Sequence, residues 1–199
     1  MHKVWIKLAL LLSSLLITSA VFACVGRTLY IGALETQEGK VMAEILATLI
    51  NERTGTTIQI RYFNDSQGLY DALKSNEEET RADILVEDTI DAMAVLKKDL
   101  NQFPDKDFVT AKELYEKDLG IIWLNPFGYN NSRGKTGQSI SAPLVRRDVL
   151  TNFPLLPRIL NKLAGVITNA TYNDLQNAAA KGEKPKNIAK DFLKKEKLI

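Results

Sequence analysis

Carboxylates and aromatic rings recur at four loops that each follow an apolar run. Leu34 to Gly39 carries Glu35 and Glu38, and Asn64 to Gly68 carries Asp65. Glu87 to Thr89 opens with Glu87 and Asp88, and Asn125 to Asn131 holds Phe127 and Tyr129. Acids and π-faces gathered at one edge of a domain suit a cation, through Coulomb attraction and cation–π contact. The same acids suit helix starts, where they cap free N–H groups and match the helix dipole without any ligand. Taken singly, each residue fits both readings.

Composition removes other chemistries. The one histidine is His2 and the one cysteine is Cys24. His2, Lys3 and Lys7 open a basic start, Leu8 to Val21 is apolar but for small Ser and Thr residues, and Val21-Phe22-Ala23 follows. This reads as a secretory signal peptide over residues 1–23, too short and wrongly flanked for a membrane span. Its removal takes the only imidazole. The mature chain then lacks a Ser–His or Cys–His pair, a histidine base and a histidine metal ligand. With no convergent acid pair either, a binding module is expected rather than an enzyme, with no catalytic residue, metal or cofactor.

Cys24 stands where bacterial lipoproteins carry the cysteine that receives lipid, so a lipid-anchored protein of the bacterial envelope is expected, periplasmic or otherwise extracytoplasmic. Ordinary cleavage leaving a free thiol is the alternative. A lone cysteine forms no disulfide framework. Loss of Lys3 and Lys7 leaves 24 basic against 24 acidic residues, which argues against nucleic acid as a partner.

The loops need elements to position them. Thr28 to Ala33, the alternating TIQIRYF of Thr57 to Phe63, and Ala82 to Val86 read as strands. Between them, Met42, Ile45, Leu46, Leu49 and Ile50 give a one-sided helix stopped at Gly55. Asp65 or Ser66 caps a second helix with Leu69, Ala72 and Leu73 inward. A third helix covers Thr89 to Lys98. This β-α-β-α-β order predicts an α/β fold with a mostly parallel sheet flanked by helices. Thr110 with Glu113 reads as a capping box for a helix to about Lys117, and Leu119 to Leu124 as another strand.

The polar stretch Asn130 to Ser139 is read as an exposed bridge, after which the chain is expected to be helical. Leu156, Ile159, Leu160 and Leu163 form one stripe with Gly165 as its stop. Thr171 and Asp174 form another N-terminal box, and Ile188, Phe192 and Leu193 a last helix after Pro185. Gly134-Lys135-Thr136 is not a phosphate loop. The required glycine five residues before the Gly-Lys pair is replaced by Tyr129, and no strand runs directly into it. In an open parallel sheet, ligands bind beyond the carboxyl ends of the strands, which is where the four acidic and aromatic loops fall.

Leu119-Gly120-Ile121-Ile122-Trp123-Leu124-Asn125-Pro126-Phe127-Gly128-Tyr129-Asn130-Asn131, the run Ala142 to Leu150, Leu163-Ala164-Gly165 and the ending Ala189 to Leu193 follow in one order. In that order the chain resembles the glycine betaine/choline (osmoprotectant) substrate-binding proteins of ABC transporters, a type II periplasmic-binding fold. The resemblance implies one lobe over residues 24–199, with bridge 130–139 in place of a second lobe. It implies a quaternary ammonium solute and an ABC permease as partners. It also adds Thr36 and Thr89, which match family loop positions, to Glu38, Asp65, Glu87, Asp88 and Tyr129 as ligand contacts. The chain departs from the family by lacking the aromatic residue after the first strand and the Tyr-Gly pair after the third.

Overall fold

Two seven-residue strands, β1 (Thr28–Leu34) and β2 (Thr57–Phe63), pair in parallel from Thr28 opposite Thr57 to Leu34 opposite Phe63. This computed structural model describes residues 27–131 and 138–199. The expected signal peptide, Cys24 and residues 132–137 of the bridge lie outside them.

Helix α1 (Gln37–Thr54) joins the two strands. It starts where the Thr36 hydroxyl accepts the Gly39 N–H and stops at Gly55, φ 69°. Met42, Ile45, Leu46, Leu49 and Ile50 are all buried, as the spacing predicts. Asp65 accepts the Gly68 N–H and starts α2 (Ser66–Lys74), which buries Leu69, Ala72 and Leu73. Then come β3 (Ile84–Asp88) and α3 (Thr89–Val95). The third strand begins later than expected, because the Ala82 N–H is drawn to the Ala72 carbonyl of α2.

Helix α4 (Pro104–Leu114) begins ahead of the expected Thr110 box. Proline in the first turn starts it without a side-chain cap, since its missing N–H would be unpaired there in any case. A π turn, Tyr115–Leu119, carries it to Gly120, φ 66°, and β4 (Ile121–Trp123) follows.

The chain does not turn helical after the bridge. β5 (Asn130–Asn131) pairs with the start of β6 (Ser139–Arg146), Asn130 opposite Ile140 and Asn131 opposite Ser139. The two ends of the bridge therefore lie side by side, and Ser139 is buried rather than exposed. β6 runs through the middle of the sheet, whose order is β2-β1-β3-β6-β4. It is antiparallel to both β3 and β4. β4 thus runs with β1, β2 and β3, and the sheet is mostly parallel in direction. Pro143, opposite Val86 inside this strand, is what conceals it, because proline ordinarily marks edges and bulges.

Four helices close the fold: α5 (Arg147–Asn152), α6 (Leu156–Leu160) with a tight turn at Asn161–Leu163, α7 (Asn169–Ala180) and α8 (Pro185–Lys195). Thr168 caps α7, one turn before the expected box. Apolar side chains form two clusters, one on each face of the sheet. Ile84 and Val86 belong to the cluster with α1 and α6–α8, and Leu85 to the cluster with α2–α4, as strand alternation requires. Trp123 is 1% exposed in the second cluster, its ring edge-to-face with Phe108 and Tyr115 at 5.6 Å each. It is a core residue, as its apolar strand implies.

Candidate functional site

The carboxyl ends of β1 and β3 and the first turns of α1, α2 and α3 meet around a narrow cleft. Its walls include Ala33 and Leu34 from β1, Thr36 and Glu38 at the start of α1, Ser66 and Leu69 of α2, Val86 and Glu87 of β3, and Asp91 of α3. The enclosed space is about 30 Å³, room on the scale of a water molecule. Three carboxylates, Glu38, Glu87 and Asp91, line it from three elements. Lys40, nearby on α1, pairs with Glu35 at 3.3 Å.

The acidity reaches the neighbouring phenols. Burial, and after it Glu87, pushes the Tyr70 hydroxyl up. The same two causes in the same order raise the fully buried Tyr115 further.

The residues singled out from the sequence separate into three groups. Thr36, Glu38 and Glu87 meet at the cleft. Asp65, Asp88 and Thr89 stand beside it in structural roles. The Asp65 carboxylate is 2.7 Å from the Gly68 N–H. Asp88 is 3% exposed and accepts the Asp91 N–H at 3.0 Å. Thr89 is wholly buried, accepts the Ile140 N–H at 3.1 Å and lies 3.5 Å from the Ser139 hydroxyl, fastening α3 to β6.

Tyr129 is elsewhere. It is 1% exposed and stacks on Tyr172, ring centroids 4.3 Å apart, with Phe127 at 6.0 Å. The reason is Gly128, φ 114°, which turns the chain against Gly165: a Cβ at Gly128 would lie 2.8 Å from the Gly165 Cα. That contact sets the loop into the α7 side of the core. Asp91, in the first turn of α3 and outside the Glu87 to Thr89 loop, and Ser66, read only as a helix cap, were not among the expected ligand contacts.

Among the described residues no group of histidine, cysteine and carboxylate side chains is placed to hold a metal ion. No described helix is long and apolar enough to cross a membrane.

Residues 137–195, from the bridge's end through β6 to α8, match the family model of the substrate binding domain of the ABC-type glycine betaine transport system. The family resemblance holds. A crystal structure of a glycine betaine/carnitine/choline ABC transporter superposes with a TM-score of 0.76 at 16% identity, over 86% of this chain and 98% of that one. Apo YehZ from Escherichia coli gives 0.76 at 14% identity, over 87% and 100%. At such identities the likeness is one of fold alone. A comparison with curated proteins gives no match.

Proposed function

We propose that the protein is an extracytoplasmic relative of the solute-binding proteins of glycine betaine/choline-type ABC transporters. In this reading it binds rather than catalyses, docks on a permease, and is tethered through lipid on Cys24. The observation that carries the proposal is the gathering of carboxylates at the carboxyl edge of β1 and β3, where open sheets take ligands; the enclosed space holds no more than water, so a solute would rest at the mouth. The family match over β6 to α8 supports it.

The same cleft argues that the site is weak. Among the described residues, the lining offers a cation carboxylates and no ring. Cation–π contact, worth ~2 kcal/mol or more when desolvated, is missing from the lining, and a bridge stands in place of the second lobe. Binding of a quaternary ammonium solute near millimolar is expected. Calorimetry with betaine, choline, carnitine and proline tests this. Heat from the first three but not from proline supports it, and a micromolar constant means that a further wall encloses the solute.

No heat from any of them supports the second reading, an envelope lipoprotein with a structural or protein-interaction role. The burial of Tyr129 away from the cleft favours that reading. For the anchor, Cys24→Ser is expected to release the protein from the host's membrane fraction. Unchanged fractionation overturns lipidation and leaves the signal peptide intact.

A further inference from the structure

The sheet ends in an unguarded strand. β2 is terminal in the order β2-β1-β3-β6-β4, and among the described residues no strand lies on its outer side. Its pairing with β1 runs through seven consecutive positions without a bulge, so the outer edge is regular. Edge strands are ordinarily protected by lysine, proline, a bulge or short length, and Thr57–Phe63 has none of these. Its one charged side chain, Arg61, turns away from the edge. The guanidinium lies 3.7 Å from the Tyr30 ring centroid and donates to the Arg81 carbonyl.

The direction of the free backbone groups follows from one hydrogen bond. The Phe63 carbonyl accepts the Glu35 N–H at 2.8 Å, so it faces β1. The N–H and C=O of one residue leave a strand on the same side and alternate along it. Thr57, Gln59, Arg61 and Phe63 therefore serve β1, while Ile58, Ile60 and Tyr62 present theirs outward. The side chains of these three floor a groove of about 650 Å³ beside α1 and α8, and Tyr62 is 40% exposed.

We propose that β2 pairs antiparallel with β2 of a second copy, about a two-fold axis through Ile60, joining two sheets into one. The segment is complementary to itself in this register. Ile60 faces Ile60 and Ile58 faces Tyr62, so the three outward residues of each copy exchange both their bonds, six in all. Ile58 with Tyr62 is the β-branched and aromatic pair that cross-strand packing favours. On the other face Gln59 meets Arg61. An axis at Arg61 would set two arginines opposite each other, and an axis at Gln59 or Arg61 would keep only four bonds. The groove's rims carry both signs, Glu44 and Glu52 on α1 with Lys186 and Lys190 on α8, so self-contact brings no single-sign field together.

Sedimentation equilibrium of the protein as its host produces it tests the pairing. The expected mass is that of two chains at high concentration, falling to one on dilution. Hydrogen exchange at the Ile58, Ile60 and Tyr62 amides is expected to slow as concentration rises, with Gln59 and Arg61 slow throughout. Ile60→Lys places two ammonium groups on the axis and should weaken association at least about tenfold. If that variant melts early, Tyr62→Lys at an exposed position supplies the same reading on a folded chain. A monomer at every concentration overturns the proposal, whether its three amides are fast or protected. So does a dimer in which they stay fast.

Discussion

The two ends of the sheet treat charge in opposite ways. At the amino end, Asp83 is wholly buried, 3.2 Å from Arg81 and 2.9 Å from the Tyr30 N–H. Beside it Arg146 holds Asp148 by two bonds of 2.9 Å and reaches Asn76 at 2.8 Å. At the carboxyl end, Glu38, Glu87 and Asp91 line one cleft together with Thr36, Ser66 and aliphatic groups. The same residue types are structural where the chain sets arginines among them. They become a candidate site where they converge from three elements at the strand ends, where open sheets take ligands. The difference gives a criterion for function that counting acids in a sequence does not.

The largest effect tests whether the cleft is separate from the core beneath it. Trp123→Ala should cost ~3–5 kcal/mol, since it empties a filled position between Phe108 and Tyr115. Urea unfolding measures it. The response to solute should be unchanged. A stable variant that loses its solute would place Trp123 in the site.

The amino end should show its structural character through pH. Burial raises the Asp83 carboxyl above its ordinary 3.8, against the Tyr30 N–H, Arg81 and Arg146, which lower it. Its contribution to stability is therefore fullest below pH 3.8 and is lost as pH rises through the raised folded value. Asp148 runs the other way. Burial raises it, but the bonds from Arg146 prevail and lower it, so its contribution holds above pH 3.8 and is lost as pH falls through the lowered value. Asp83→Asn should cost ~1–3 kcal/mol by replacing a buried oxygen of the set formed with the Tyr30 N–H and Arg81. Urea midpoints at pH 3 and pH 7 should show the larger cost at pH 3. A cost that grows with pH would mean that the ionised Asp83–Arg81 pair outweighs burial.

Legibility in the sequence followed the range of the forces. The parallel half was readable because alternating β-branched residues and one-sided apolar stripes act within a few residues, as in Thr57–Phe63 and in Met42 to Ile50. β6 was not, because its membership of the sheet is decided by β3 and β4, more than fifty residues and about twenty residues away along the chain, and Pro143 argues locally against it. Thr36, Glu38 and Glu87 line one cleft because the strand ends that carry them meet through topology alone. Tyr129 was misplaced because its loop position is local, whereas its burial depends on Gly165 and Tyr172.

The smallest effect is expected at the cleft itself, and it bears most directly on the contrast between the two ends. At a solute concentration equal to the dissociation constant, one site stabilises the fold by only ~0.4 kcal/mol, so calorimetry rather than melting is the measurement. Glu87→Gln keeps the side chain's shape and removes its charge. For a half-open cation contact the loss is ~0.5–1 kcal/mol, roughly two- to fivefold in betaine affinity. The substitution has a second reading that needs no solute. With Glu87 neutral, the Tyr70 hydroxyl loses one cause of its raised pKa and should titrate lower, while burial still holds it above its usual value. If the Tyr70 titration moves and betaine affinity falls, Glu87 serves the solute. If the titration moves and affinity does not, Glu87 charges the cleft without touching the solute, and the carboxyl end is then a structural cluster like the one around Asp83.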